Sequence, residues 1–405
     1  MRFVTAVVAA ALVGTATAQV NSTQNDLNVL HYALTLEHLE ATFYTTGQQN
    51  FTADNFTAAG YPAELYQYIS IIEGHEQAHV TALTQVIQSL GGTPVTAGVY
   101  DFSGVVDVPS YLAYALAFES TGVSAYDGAL NALTSPTLQQ VAATIATVEA
   151  RHTSYLALFS PPPAQNVSDQ GTGHKPFPNA FETPSSPPSV AQIVAPYITQ
   201  FGTPALVLPI ERNDTSDYVQ PTAATLTADI AILNYALTLE HLEATFYNTF
   251  VYNASQYEAA GYDGATAGYI SMIQSHENTH VATLTSVITV LGGTPVAPCT
   301  YNFSSVTGVP AFLATAAALE NTGVSAYDGA ANGITNPDLQ QAAATIATVE
   351  GRHASYLNFL NGVVPFPNIT DIPLNMSQVL QIAGPFIVSC PTATSVPGAA
   401  PTDTN

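Results

Sequence analysis

The sequence predicts an all-α protein built as two tandem four-helix bundles, each with one long crossover connection. Three observations carry that prediction. First, the chain repeats itself: YALTLEHLEATFY at 32–44 is identical to 235–247, LGGTPV at 90–95 recurs at 291–296, and TGVSAYDGA at 121–129 recurs at 322–330. Second, apolar residues return every three or four positions through each copy, the period of a helix with one buried face. Third, four Glu-x-x-His pairs stand on those periodic segments, at Glu76/His79, Glu149/His152, Glu277/His280 and Glu350/His353. Residues three apart share a helix face. Each pair therefore aims a carboxylate and an imidazole at one point, which is metal-ligand chemistry.

In chain order, residues 1–18 read as a secretory signal, with Met1-Arg2, an apolar run over 3–13 and Ala16-Thr17-Ala18 before Gln19. That apolar core is too short to span a membrane, and no other uninterrupted stretch is long enough. The first unit covers 22–202, with helices expected over 26–45, 63–90, 109–133 and 136–159. Leu90-Gly91-Gly92 supplies a C-terminal stop. Ser135-Pro136, repeated as Asn336-Pro337, supplies a cap followed by proline at the first helical position. The turn between helices three and four is thus very short, so those helices are antiparallel neighbours. The longer segment 91–108 has the length to cross a bundle from end to end. A Pro/Gly-rich insert near 161–175 follows. PFPN at 176–179 and QIVAPYI at 192–198 then form a proline-rich segment and a short helix, expected against the outside of the bundle. A linker at 203–223, containing Pro204, Pro209 and Pro221, leads to the second unit at 224–390, which closes with PFPN at 365–368 and QIAGPFI at 381–387. The polar tail 391–405 lacks the hydrophobic end of a lipid-anchor signal.

Composition narrows the function. Hydrophobic residues make up 47% of the 405 residues and charged residues only 8%, ample for two packed cores. Twenty-nine acids against five Lys and Arg give a net charge of −24, which leaves no basic footprint for nucleic acid or an anionic membrane. Nine Asn-x-Ser/Thr sequons, at Asn21, Asn50, Asn55, Asn166, Asn213, Asn253, Asn302, Asn368 and Asn375, agree with a secreted, extracellular or wall-associated protein. In an oxidising compartment the two cysteines, Cys299 and Cys390, predict a disulfide tying the C-terminal tail to a loop of the second unit. Two thiolates are too few for a thiolate metal site.

Carboxylate di-metal bundles take one Glu from each of two helices and a Glu-x-x-His from each of the other two. The first unit supplies Glu37, Glu76 with His79, Glu119, and Glu149 with His152 on helices one to four. The second supplies Glu240, Glu277 with His280, Glu320, and Glu350 with His353. Four carboxylates balance two divalent cations, and two of them can bridge the pair. Oxygen and nitrogen ligands suit iron and manganese alike. Helix one offers a further carboxylate on the same face, Glu40 or Glu243. The seven-residue step from Glu119 to Tyr126 and from Glu320 to Tyr327 is repeated from Glu37 to Tyr44 and from Glu240 to Tyr247. That repeat selects Glu37 and Glu240 as ligands, leaving Glu40 and Glu243 as hydrogen-bonding neighbours or alternative ligands. The four tyrosines are either core aromatics or redox-active neighbours of the metals. Once the signal is removed only four Lys and Arg remain, two of them Arg151 and Arg352 inside the Glu-x-Arg-His runs. So few bases cannot neutralise eight inward Glu, and unpaired buried charge is costly. His38, His241, His75 and His276 adjoin ligand positions and are expected to cap or hydrogen-bond within the core. Asp127 and Asp328 either orient a ligand His or lie on the surface. Crowding of the carboxylates further predicts that removing the charge of Glu149 relieves strain in a metal-free bundle.

At these residues the chain resembles the ferritin-like superfamily, and more closely the secreted fungal ferritin-like proteins linked to stress, desiccation and sexual development, here in tandem. The YALTLEHLEATFY helix, the two Glu-x-x-His helices and the PFPN…Pro-Phe/Tyr-Ile tail carry the likeness, which covers nearly all the mature chain twice. The resemblance implies ferritin-like bundles, each with a di-iron or di-manganese centre acting on dioxygen, peroxide or ferrous iron. Peroxidases, catalases and ferroxidases share such a ligand set, so the reaction and its catalytic residues stay open. A small oxidant or a metal ion would be the substrate. The tandem copy, linker and sequons depart from cage-forming ferritin, and the two bundles are expected to dock like a fused dimer. The alternative is a non-catalytic metal-binding protein, or a structural wall or spore-coat protein with vestigial sites.

Overall fold

The computed structural model describes residues 22–159, 175–204 and 222–391. The signal segment 1–18, linker residues 205–221, tail residues 392–405 and the sequons at Asn21, Asn166 and Asn213 lie outside the described residues. The described chain is two all-α bundles in tandem. The first is made of α1 (Ser22–Asn50), a short α2 (Ala53–Ala58), α3 (Ala63–Ser89), α4 (Val108–Ala129) and α5 (Pro136–Ala157). The second repeats it with α7 (Ala223–Thr249), α8 (Ala254–Ala259), α9 (Thr266–Val290), α10 (Gly308–Ala330) and α11 (Pro337–Leu360). Each bundle is followed by a short helix, α6 (Pro187–Val194) or α12 (Met376–Ala383).

Local chemistry sets the ends. Gly91 and Gly292, at φ 79° and 81°, end α3 and α9 in the left-handed conformation that glycine adopts without strain. Asp107 caps α4 by accepting from the Ser110 amide at 2.8 Å. The crossover is pinned to helix one by His38 and His241, whose Nε2 atoms donate to the carbonyls of Val95 and Val296 at 3.0 and 3.1 Å. It also carries a two-residue strand. β1 (Val99–Tyr100) pairs antiparallel with β2 (Ile198–Gln200) after α6, as β3 (Thr300–Tyr301) pairs with β4 (Ile387–Ser389) after α12. Cys299 and Cys390 are joined beside the second pair, Cα atoms 4.2 Å apart. The sequon residues Asn50, Asn55, Asn253, Asn302, Asn368 and Asn375 are all exposed.

The bundles meet along their fourth helices. α5 and α11 lie side by side with equivalent residues level: Ser154 Oγ donates to the Arg352 carbonyl and Ser355 Oγ to the Arg151 carbonyl, both at 2.8 Å. The approach is closest at Gly351, where a Cβ would stand 2.7 Å from the Thr147 carbonyl oxygen and 3.5 Å from the Ala150 methyl. Asp127 and Asp328 are fully buried at this junction, paired with Thr348 at 3.0 Å and Thr147 at 3.2 Å of the opposite bundle. They neither face solvent nor orient a ligand histidine, so the sequence expectation is corrected. Threonine on the facing helix is what makes their burial tolerable.

The segments after each bundle also depart from expectation. From Ser185 and Leu374 onward the chain returns to its own bundle, where the Ser185 amide donates to the Ser124 carbonyl and the Leu374 amide to the Ser325 carbonyl, at 2.8 and 2.9 Å. Glycine makes that return, since a Cβ at Gly128 would sit 1.9 Å from the Ser185 carbonyl oxygen. The stretch before it crosses to the other bundle. Residues 176–182 lie over α9 and α11, and residues 365–371 lie over α3 and α5. Each strap buries a phenylalanine completely, Phe177 or Phe366. Each also ends in an acid that meets a buried arginine of the opposite bundle. Arg151 Nε donates to Asp371 at 2.8 Å, and Arg352 Nε donates to Glu182 at 2.8 Å.

Candidate metal centre

The helix periods put six side chains of each bundle on one internal surface. Glu37, Glu76, His79, Glu119, Glu149 and His152 are all wholly buried, as are Glu240, Glu277, His280, Glu320, Glu350 and His353. They form two overlapping groups per bundle, each with ligand atoms within 4.8 Å of one another. In the first bundle one group is Glu37, Glu76, His79 and Glu149, and the other is Glu76, Glu119, Glu149 and His152. Glu76 and Glu149 belong to both, as Glu277 and Glu350 do in the second bundle. The shared residues are the glutamates of the two Glu-x-x-His pairs. The geometry therefore separates two carboxylates that can bridge from two that can each hold one ion.

Nδ1 of His79 lies 3.3 Å from Glu37, 3.4 Å from Glu76 and 3.0 Å from Glu149. Nδ1 of His152 lies 3.1 Å from both Glu76 and Glu119. Few of these contacts are aligned as hydrogen bonds. Both carboxylate oxygens of Glu76, Glu149, Glu277 and Glu350 lack an aligned donor among the described residues. Buried carboxylate oxygens converging without donors fit a pair of cations, whose charge would satisfy them. Burial raises Glu37 and Glu240 to about 8 despite the opposing pull of His79 and His280. Burial also raises Glu149, but its contacts with His152 and His79 outweigh that and leave it below the ordinary carboxylate range. Both imidazoles thus lie against Glu149 and Glu76 alike.

The surrounding hydrogen bonds are crossed between helices. Tyr44 of α1 donates to Glu119 of α4 at 2.5 Å, and Tyr126 of α4 donates to Glu37 of α1. Tyr247 donates to Glu320 at 2.6 Å and Tyr327 donates to Glu240. The repeated seven-residue step in the sequence reflects this exchange. Glu40 and Glu243 fall outside the two groups and stand against glycine. A Cβ at Gly122 or Gly323 would lie 3.0 or 3.1 Å from their carboxyl oxygens. Burial and the neighbouring carboxylates hold both well above the ordinary range.

Sequence reasoning did not find what holds the imidazoles. His75 Nδ1 meets His152 Nε2 at 3.0 Å, and His276 Nδ1 meets His353 Nε2 at 3.0 Å. Burial and the neighbouring imidazole lower His75 to about 3 and His276 to about 2, so each stays neutral and accepts the Nε2–H. His79 and His280 are held from the other bundle, by strap carbonyls. Nε2 of His79 donates to Ile369 at 2.7 Å, and Nε2 of His280 donates to Ala180 at 2.6 Å. Phe366 and His152 meet in a T-shaped contact with ring centroids 4.9 Å apart, as Phe177 and His353 do at 5.0 Å. A signal existed in the repeat, since PFPN is followed three residues on by an acid in both copies.

Two comparisons with known proteins bear on this geometry. The sequence profile of the ferritin-like domain matches residues 25–160 and again residues 228–362. The chain is also similar to protein rds1 of Schizosaccharomyces pombe (strain 972 / ATCC 24843), at 27% identity over 189 residues. That alignment covers 45% of this chain and 44% of the relative, so less than half of either protein is compared.

Proposed function

The chain belongs to the ferritin-like domain family, and on that premise we propose that each bundle holds two divalent metals, iron or manganese, and handles peroxide, dioxygen or ferrous iron. The observation that carries the reading is the doubled, overlapping group of buried ligands, with Glu76 and Glu149, or Glu277 and Glu350, shared between two positions. In the first bundle Glu37 and His79 would hold one ion, Glu119 and His152 the other. When bound, such a pair supplies Lewis acidity and one-electron chemistry. The chain's own contribution is positional and protonic. Tyr126 and Tyr44 each donate a hydrogen bond to a terminal carboxylate, Glu37 and Glu119. His75 fixes the His152 tautomer so that Nδ1 faces the carboxylates. Glu40 stands beside the group, against Gly122. Complete burial excludes bulk water.

That same burial favours a second reading, in which the metals are sequestered and turn nothing over, or the bundle serves a structural role in a wall or coat. The proposal extends to location: the N-terminal signal-like segment and the exposed sequons support a secreted glycoprotein, and a role in stress or development is proposed from the family resemblance alone. Elemental analysis after reconstitution tests the core claim. Two metals per bundle are expected, and Glu149→Gln should empty the first bundle while the second stays loaded. Less than about one metal per bundle would sink the di-metal reading. Full loading without peroxidase, catalase or ferroxidase turnover would leave sequestration.

A further inference from the structure

We propose that each metal site is completed by the opposite half of the chain: the strap carbonyls of Ile369 and Ala180 are positioning groups for His79 and His280. The inference rests on the di-metal reading for its consequence, but its geometry stands apart from it. An imidazole that ligates through Nδ1 must carry its proton on Nε2, and the partner of that proton sets both tautomer and ring angle. In each bundle the two histidines receive this partner differently. His152 and His353 receive it from a neutral histidine of their own bundle, His75 or His276. His79 and His280 receive it from backbone carried by the other half of the chain.

The straps are fixed well enough to do this. Asp371 donates its amide to the Thr144 carbonyl at 3.0 Å, and Glu182 does the same to Thr345 at 3.1 Å. The acid of each strap then locks onto a buried arginine, Asp371 on Arg151 and Glu182 on Arg352. Arg151 and Arg352 stand one residue before the ligands His152 and His353, so the clamp is built into the ligand helix itself. The phenylalanine of the strap covers the remaining histidine face. Four independent contacts recur in both copies, always crossed and never within one bundle.

The consequence is a crossed dependence. Loosening the strap encoded in the second half should weaken one of the two metal positions in the first bundle, the one that uses His79, and leave the second bundle untouched. The test uses full-length protein and cobalt(II) as the probe. A Glu350→Gln background restricts binding to the first bundle, and a Glu149→Gln background restricts it to the second. Asp371→Ala should lower cobalt affinity at one of the two positions of the first bundle by about 10–100-fold, as loss of a partner behind a ligand histidine does. In the Glu149→Gln background the same change should leave binding within about two-fold, the ordinary scatter for an independent site. Glu182→Ala should give the mirror result. Asp371→Glu should rescue, because the equivalent clamp already uses Glu182, and a purely structural loss would not be rescued selectively at one position. If Asp371→Ala does not fold, Asp371→Asn retains an acceptor for Arg151 and should give a graded loss.

Nitrogen-15 spectra of ring-labelled histidine in metal-free protein supply a readout independent of loading. Asp371→Ala should shift the His79 resonances and spare His280. Cobalt loss in the second bundle, or equal loss in both, would overturn the crossed assignment, as would unchanged His79 resonances. Failure of the wild type to bind cobalt at all would refute the di-metal reading instead, while the metal-free spectra would still decide the strap.

Discussion

Replacing Gly351 by alanine sets two opposite effects against each other at the junction of the bundles. Within an isolated helix the change stabilises by about 1 kcal/mol, because glycine has the greater backbone freedom to lose. At this position the new methyl would stand 2.7 Å from the Thr147 carbonyl oxygen, which belongs to a helix backbone that cannot move alone. Overpacking of that kind costs about 1–3 kcal/mol. The clash should win, and the variant should lose about 1–2 kcal/mol net, roughly 2 °C of melting temperature for each kcal/mol in a chain of this size. Ala150→Gly, on the facing helix, should also destabilise, by about 1 kcal/mol of lost helix propensity. Because the Ala150 methyl is at an ordinary contact distance of 3.5 Å and the clash is with Thr147, the double swap should equal the sum of the two single changes within about 0.5 kcal/mol. Thermal melts of the four proteins followed by helical circular dichroism measure this cycle. A rise in melting temperature for Gly351→Ala would mean that propensity prevails and that α5 and α11 do not meet there.

Further outcomes follow from other sites. Asp127 is raised above the ordinary carboxylate range by burial and by the Glu182 carboxylate, against Thr348 and Arg352. A raised acid contributes stability below its unfolded value near pH 4 and loses it as pH rises, so Asp127→Asn should match wild type near about pH 4 and exceed it at neutral pH. A pH-independent difference in denaturation midpoint would contradict this. Metal-free Glu149→Gln should lose on the order of 1–3 kcal/mol if the contacts of Glu149 with His79 and His152 outweigh carboxylate crowding; a gain in urea stability would bear out the charge-crowding expectation instead. Tyr111 buries a hydroxyl without a hydrogen-bond partner among the described residues, so Tyr111→Phe should be neutral or up to about 1 kcal/mol more stable. A clear loss would reveal a partner for that hydroxyl. Cys299→Ser removes a cross-link closing 91 residues, with an upper limit of about 4–5 kcal/mol on the chain-entropy argument. Proteolysis should show the C-terminal segment released first, and unaltered protease resistance would count against that role.

The four main helices of each bundle were legible because their period, glycine stops and proline starts are local features of the chain. The buried Glu and His clusters were legible for a related reason: Glu-x-x-His writes a shared helix face directly into the sequence. The choice of Glu37 over Glu40 could be argued from the tyrosine step, although that spacing concealed a crossed pairing between α1 and α4. The short α2 and α8 were missed because six residues are too few to display a period. His75 and His276 were read as generic core groups, since adjacency to Glu76 and Glu277 says nothing about which neighbouring helix they touch. The straps could not be placed, because identical repeats satisfy Arg151 with Glu182 or with Asp371 equally well on paper. Asp127 was undecided for a similar reason, its threonine partner lying on another bundle.

The crossed straps also impose an order of events on a chain made from its N-terminus. The second bundle finds its strap, 176–182, already synthesised before any of its own helices emerge. The first bundle completes α5 roughly 210 residues before Asp371 exists, a delay of about 10–40 s at common elongation rates. During that interval its four helices can assemble, but His79 has no carbonyl to turn it and Arg151 has no carboxylate to meet. The strap contacts of the first bundle therefore form late, and a ribosome stalled before residue 365 would hold that bundle with its Glu and His side chains gathered but its strap missing.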